Sequence, residues 1–462
     1  MRGAAGGANL LALRSHNTAL VLDLLRTARG AGISRLELAE RTGLTPQAVS
    51  KITARLRGEG LAAEAGRRAS TGGKPRTVLR LVPGAGHALG VHLDRDELRA
   101  VLVDLDGTVV AERRAPLDLG AGAETVLEMV ARAAEELAAE GLGHLVAEGA
   151  RVPGAALAAA PTLLGLGVAL PGPLDHVRGV LHRITGFPGW DGYPLREALE
   201  RRLGVPVVVD KDTNAAALGL AVGGAGGERG SGAGGQRGSG AVGEAGGAGG
   251  EGGSRAGAEW GDGAVGEAGS AGGERGSGAG GQRGSGAGAE WGSGAGAEAA
   301  RAGARGGSFA YLHLGTGLGA GLVFGGGVHR GARTGAGEFG HQVVQLDGPP
   351  CTCGARGCIE ALCLAAVARG DLAEAARVLG TGAANLAGLL DIDLVLLGGR
   401  TVAAAPEAFV QGVGAVLDAR ARREGGHDDP VPVRLAPAGT RGVAEGAAQL
   451  LLAPLFGRGE GG

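Results

Sequence analysis

Gly337-Glu338-Phe339-Gly340-His341, then nine residues, then Cys351-Thr352-Cys353-Gly354 and Gly357-Cys358-Ile359-Glu360: the reading of this chain turns on that stretch. One imidazole and three thiols make a four-ligand set, and that donor mixture matches the borderline softness and tetrahedral preference of zinc. His341, Cys351, Cys353 and Cys358 are the expected ligands. Four protein ligands leave no open position, so the zinc is expected to be structural. All four cysteines lie between Cys351 and Cys363, the wrong distribution for disulfides that staple a secreted fold, and this points to the cytoplasm. Cys363 falls outside the ligand spacing and reads as an ordinary helix cysteine.

Outward from this stretch the chain alternates strand and helix patterns. Ala88 to Leu93, Leu98 to Asp104 and Thr108 to Arg113 are apolar or alternating runs separated by turns at Asp94-Arg95 and Asp106-Gly107, which predicts an antiparallel meander. A helix is expected from Glu124 to Leu137, strands at Leu163 to Leu170 and Val205 to Val209, and a helix between them at Leu195 to Leu203. Further strands follow at Phe309 to Leu314, Gly319 to Phe324 and Leu394 to Leu397, so the fold class is α/β. The apolar run Ala155 to Leu170 is broken by Pro161 and is too short to span a bilayer. The N-terminus carries Arg2 but no continuous apolar core with a cleavage site, so no signal peptide is expected.

Residues 223–307 are rich in glycine and repeat themselves: GGERGSGAGGQRGSGA begins at 226 and again at 272, and GAEWG at 257 and 288. Such a segment buries too little apolar surface to offset its ordering entropy, and reads as a disordered insertion grown by duplication, with Trp260 and Trp291 as its only docking candidates. Loop-closure cost rises only logarithmically with length, so a fold can carry it.

The first eighty residues hold fourteen Lys or Arg against five Asp or Glu, on a chain whose net charge is -2. A basic head on an acidic body suits a nucleic-acid partner. Ser34 with Glu37 makes a capping box for a helix ending near Thr42, and Gly43-Leu44 makes a turn. Thr45 then caps a second helix with Pro46 at its first position. Val49, Ile52 and Leu56 form its apolar face, leaving Gln47, Ser50, Lys51 and Arg55 opposite, where they could enter a major groove. Arg67-Arg68 and Thr71-Gly72-Gly73-Lys74-Pro75-Arg76 read as a basic hairpin wing. Thr45, Gln47, Ser50, Lys51, Arg55, Lys74 and Arg76 are the expected DNA-contacting residues.

The stretch GHQVVQLDGPPCTCGARGCIE, with Gly315-Thr316-Gly317-Leu318-Gly319-Ala320-Gly321 before it, resembles the signature of the ROK family of repressors, open reading frames and sugar kinases. The resemblance extends from Leu163 through Pro173, over Asp210-Lys211-Asp212-Thr213-Asn214-Ala215-Ala216-Ala217, to Leu396-Leu397-Gly398-Gly399, and the head resembles the winged helix-turn-helix of the family's repressors. It implies a two-lobed, actin-like (ribonuclease-H-like) body with a sugar cleft between the lobes. The resulting division is a winged helix-turn-helix at 1–85, a ROK body at 86–222 and 308–462, and the insertion at 223–307.

Carried over from the family's kinases, the sugar contacts are Lys211 in place of an Asn, Asp212, Glu338, His341 and Glu360. Asp212 would be the vestigial base, His341 would serve metal and sugar through its two ring nitrogens, and Lys211 would tune the choice of ligand toward an acidic or phosphorylated sugar. The family's kinases also place an Asp and a Gly-Gly-Thr turn in the first hairpin, against ATP phosphates. Here the run is His92-Leu93-Asp94-Arg95-Asp96, with no glycine for a close backbone approach and two carboxylates that repel phosphate. His92 reads as a strand residue, and the helical region between Glu360 and Leu394 as shorter than is usual in the family.

The function expected from the resemblance is a transcriptional regulator, a repressor of carbohydrate-metabolism genes. It would bind a duplex DNA operator as a homodimer or higher oligomer under control of a sugar or sugar-phosphate effector, with no membrane and no catalytic residues. An ATP-dependent sugar kinase and a ligand-independent DNA-binding scaffold remain the alternatives.

Overall fold

The computed structural model describes residues 16–68, 76–142, 162–182, 184, 186–222, 307–424 and 430–458. Lys74, Trp260, Trp291 and almost all of the insertion lie outside the described residues.

Helix α1 (His16–Ala28) repeats apolar residues at Val21, Leu22 and Leu25, all buried. A short strand β1 (Ile33–Ser34) leads into α2 (Arg35–Thr42), where the capping box forms: the Glu37 amide donates to Ser34 Oγ and the Ser34 amide to Glu37 Oε2, at 3.3 and 2.8 Å. Gly43 ends that helix at φ 70°, a left-handed conformation that glycine adopts without strain. Helix α3 (Pro46–Gly58) opens with Thr45 Oγ1 accepting from the Ala48 amide at 3.2 Å. Strands β2 (Ala62–Arg68) and β3 (Arg76–Leu81) pair antiparallel, Arg68 opposite Arg76, and β1 joins the other edge of β3.

The first lobe contains β4 (His87–Leu93), β5 (Glu97–Asp104), β6 (Val109–Pro116), α4 (Ala123–Leu142) and β7 (Leu163–Leu170). Two short strands, β8 (Leu174–Asp175) and β9 (Val180–Leu181), precede α5 (Leu195–Leu203) and β10 (Val207–Lys211). The sheet order is β10-β7-β4-β5-β6, with the meander antiparallel and β7 and β10 parallel to β4. Strand β10 starts two residues later than the apolar run Val205 to Val209 predicts, since Pro206 has no N–H for the ladder and offers only its carbonyl to the Leu166 amide. Lys211 therefore closes the strand and Asp212 opens α6 (Asp212–Val222).

The second lobe repeats the plan. Its strands are β11 (Ser308–Leu314), β12 (Leu318–Phe324), β13 (Gly327–Val328), β14 (Leu394–Gly398) and β15 (Val433–Leu435), in the order β13-β12-β11-β14-β15. In each sheet the first three strands form a meander and the last two add in parallel on the other side of the first. Its helices are α7 (Ile359–Ala368), α8 (Leu372–Leu390), α9 (Arg400–Ala404), α10 (Pro406–Glu424) and α11 (Gly442–Leu452).

Helices α6 and α11 fill the space between the two sheets, their alanines sharing a core with Phe309, Tyr311 and Leu396. Glycine permits this approach: a Cβ at Gly167 would lie 1.9 Å from the Ala447 carbonyl oxygen, and one at Gly90 2.0 Å from that of Ala444. The N-terminal segment shares its core with the body. Val21, Leu22 and Leu25 pack in one cluster with Leu451, Leu452 and Phe456 from the chain's end and Val101 and Val103 of β5. Arg26 lies 4.2 Å from the centre of the Phe456 ring, and Arg458 donates to Asp23 Oδ2 at 2.8 Å. No helix among the described residues is long and apolar enough to cross a membrane.

Candidate functional site

The cleft between the two sheets is lined from both lobes. The end of β10 and start of α6 supply Lys211, Asp212 and Thr213, the β4–β5 hairpin supplies Asp94 and Arg95, and the opposite wall carries Thr316 to Gly319, Glu338, His341 and Glu360. All five residues expected to hold a sugar are thus brought to one cavity: Lys211 ends a strand, Asp212 and Glu360 lie in first helical turns, and Glu338 precedes and His341 closes the single turn Phe339–His341, in the crevice where α/β sheets bind ligands.

Lys211 is nearly fully buried, its side chain 4% exposed, and its Nζ donates to the Ala336 carbonyl and, at 3.2 Å, to Glu338 Oε1. Its charge is answered within the cleft, where the carboxylates of Asp94, Asp212, Glu338 and Glu360 outnumber Lys211 and Arg95. An acidic sugar would have to compete with Glu338 for this ammonium. Glu360 is also buried, and its Oε2 accepts from the Leu318 amide at 2.8 Å, which ties the glycine-rich turn after β11 to the first turn of α7. Asp212 Oδ1 accepts from the Thr213 amide at 2.6 Å, leaving its other oxygen to the cleft side. Beneath it Asp210 takes bonds from Arg330 and Asn214 at 2.8 and 2.9 Å, a buried pair that the sequence reading missed because its partners are far apart along the chain.

His92 is a buried strand residue, as expected; burial lowers its pKa against the pull of Asp212 and Asp94 and holds the ring neutral. Across from it Tyr311 meets His313 Nδ1 at 2.9 Å, and burial, with the charge of Asp212, raises the phenol above its ordinary value.

His341, Cys351, Cys353 and Cys358 bring one ligand atom each to within 4.8 Å of one another. Cys351 Sγ lies 3.7 Å from His341 Nδ1, and Cys353 Sγ 3.7 Å from Cys358 Sγ. Zinc–sulfur bonds of about 2.3 Å at tetrahedral angles put two sulfurs roughly 3.8 Å apart, so the donor set fits zinc in both chemistry and spacing. His341 turns Nδ1 to this cluster while its ring also borders the cleft. Cys363 stays apart in α7, its thiol donating to the Ala375 carbonyl and pushed up to about 12 by burial.

Gln47, Ser50, Lys51 and Arg76 are exposed. Arg55 is exposed as well, and its guanidinium also donates to Thr18 Oγ1 at 2.6 Å, joining α3 to α1. The residue that sequence reasoning missed altogether is Arg400, at the start of α9. It binds Asp96 at 2.9 Å and approaches Asp94 at 3.8 Å, so the two acids of the first hairpin do not stand uncompensated.

Two five-stranded sheets with a polar cleft and an adjoining thiol–imidazole cluster define a sugar-kinase-like α/β architecture. The ROK family model matches residues 88–231 and 292–369 of the chain. Among curated proteins it is 26% identical over 204 residues to the xylose repressor of Bacillus subtilis strain 168, covering 44% of this chain and 48% of that protein. It is 29% identical over 216 residues to the DNA-binding transcriptional dual regulator NagC of Escherichia coli K12, covering 47% of this chain and 48% of that protein. The chain thus spans about half the length of these relatives. The solved structure of a ROK family transcriptional regulator, homolog of the E. coli MLC protein, superposes with a TM-score of 0.61 at 18% identity, covering 95% of this chain and 96% of that chain. That likeness establishes the fold.

Proposed function

We propose that the protein is a cytoplasmic, sugar-responsive transcriptional regulator, a repressor of carbohydrate-metabolism genes. Residues 1–85 act as a winged helix-turn-helix on a duplex operator, and the body binds a sugar or sugar phosphate. The observation that carries this reading is the union of the two parts: an exposed Gln47, Ser50, Lys51 face on a capped helix shares one apolar core with the body that holds the cleft. The names of its relatives, a xylose repressor and a DNA-binding transcriptional dual regulator, agree with it.

In this reading α3 enters the major groove, where Gln47 reads base edges and Ser50 and Lys51 reach bases or phosphates. Arg67 and Arg76 of the β2–β3 hairpin, with Lys74 of the expected wing, follow the backbone, and a homodimer presents two such heads to a two-fold site. Asp212, Glu338, His341 and Glu360 accept sugar hydroxyls. Zinc on His341 and the three cysteines orients that imidazole, so metal loss disturbs the sugar site as well. Phosphoryl transfer depends on cradling phosphates, and a hairpin of Asp94-Arg95-Asp96 does not supply the cradle.

The test uses the full chain. Affinity for operator duplex should fall steeply with salt, and one of a panel of hexoses, pentoses and amino sugars should raise the melting temperature and shift DNA affinity. Zinc content should drop in Cys353→Ser. Absence of salt-sensitive duplex binding sinks the regulator reading, and steady ADP release with a stabilising sugar would instead assign a kinase.

A further inference from the structure

The side of the cleft marked by the β4–β5 hairpin is bridged by protein groups from both lobes. Thr316 Oγ1, in the β11–β12 turn of the second lobe, donates to Asp94 Oδ1 at 2.6 Å. Arg400, immediately after Gly398-Gly399 in the same lobe, places NH1 2.9 Å from Asp96 and NH2 3.8 Å from Asp94 Oδ2. Thr401 Oγ1 donates to the Gly315 carbonyl at 3.3 Å, so the two second-lobe loops that grip the hairpin are themselves joined. Thr316 and Arg400 stand 222 and 304 residues from their partners. Contacts of that separation within one small patch close the chain on itself across the cleft.

We infer that Arg400 and Thr316, gripping Asp94 and Asp96, form an interlobe clasp that sets how readily the cleft opens and is strengthened by sugar binding. The inference rests on the cleft being the sugar site proposed above. The link to the ligand is the turn Gly315 to Gly319. Its Thr316 belongs to the clasp, while the next amide but one, that of Leu318, is held by Glu360, one of the proposed sugar acceptors. A ligand that orders Glu360 orders this turn, and an ordered turn keeps Thr316 on Asp94. By reciprocity, a clasp that favours the closed lobes raises sugar affinity.

Exposure makes the clasp tunable. Asp94 is 14% exposed, but Arg400 is 38% and Asp96 58%, so dissolved ions reach the outer pair and screen it. A sugar without charge should then bind less tightly as salt rises, although its own contacts carry no such dependence.

The experiment has two arms on the full-length protein, with Arg400→Gln and the charge-reversed double variant Asp96→Arg, Arg400→Asp. Without any ligand, amide hydrogen exchange is measured in the segments holding 94–97 and 315–318. Exchange should be severalfold faster in Arg400→Gln and return toward the parent rate in the double variant. In the second arm, calorimetry with the neutral sugar that best stabilises the protein is run across a salt series; affinity should fall with salt in the parent and stay flat in Arg400→Gln. Unchanged exchange in Arg400→Gln, or an identical salt slope in parent and variant, overturns the clasp. Failure of every sugar to bind removes the sensor reading alone, since the exchange arm still decides whether the lobes are clasped.

Discussion

Lys211 and Glu338 show how one ion pair has two unequal ends. The lysine is buried and the glutamate is 41% exposed, so loss of one partner is felt differently from loss of the other. Glu338→Ala leaves a buried ammonium with only the Ala336 carbonyl and should cost about 3 kcal/mol, in the range for breaking a buried pair. Lys211→Met leaves a carboxylate that water can solvate and should cost about 1 kcal/mol or less. Urea denaturation of both, with unchanged slopes, checks the order; equal losses would contradict it. At this scale the clustering of His341, Cys351, Cys353 and Cys358 was legible because four donors at tight spacing can converge on one point. Lys211 and Glu338 were both found through the resemblance, but their pairing was not, since pairing depends on which loop faces which. Arg400 was overlooked for the same reason: a lone arginine after two glycines carries no signal until the fold brings Asp94 and Asp96 to it.

Helices and strands were readable wherever local rules decided them. The Ser34 capping box, the Thr45 cap and the α5 helix formed as expected, since each is a bargain between neighbours in sequence. The meander β4 to β6 also followed its alternation and its turns. Helix α1 was not anticipated, although Val21, Leu22 and Leu25 recur at helical spacing, because attention began at the sharper signal of Ser34. That omission matters for α3. Arg55 bonds to Thr18 of α1, so it works as a brace in addition to any contact with DNA. Arg55→Ala should therefore lower thermal stability and weaken all duplexes together, whereas Gln47→Ala, at an exposed position, should leave stability unchanged and relax base preference. Melting curves beside a panel of single-base operator variants separate the two; a stable Arg55→Ala protein would remove the brace.

Across the whole molecule, the boundary expected at residue 85 is a boundary in sequence and not in packing. Val21, Leu22 and Leu25 share a cluster with Leu451, Leu452 and Phe456, so α11 packs with both the N-terminal segment and the two sheets. Phe456→Ala should cost about 3 kcal/mol, as for other buried aromatic truncations, and should blunt the response of DNA affinity to sugar while sparing the cleft. Calorimetry and operator titration with and without the sugar decide this; an intact response would place the coupling elsewhere. Nothing in local sequence pattern announces such a shared core, because it joins residues from opposite ends of the chain. The same arrangement has a consequence for how the protein is made. A ribosome releases β4 and β7 before α11, yet the surfaces that Gly90 and Gly167 present are covered only when α11 emerges, after the long glycine-rich stretch has been translated. Until then the nascent chain exposes apolar surface with no native cover, the condition in which unfinished chains aggregate or engage chaperones. Completion of the core that the head shares with the body must wait for α11 and Phe456.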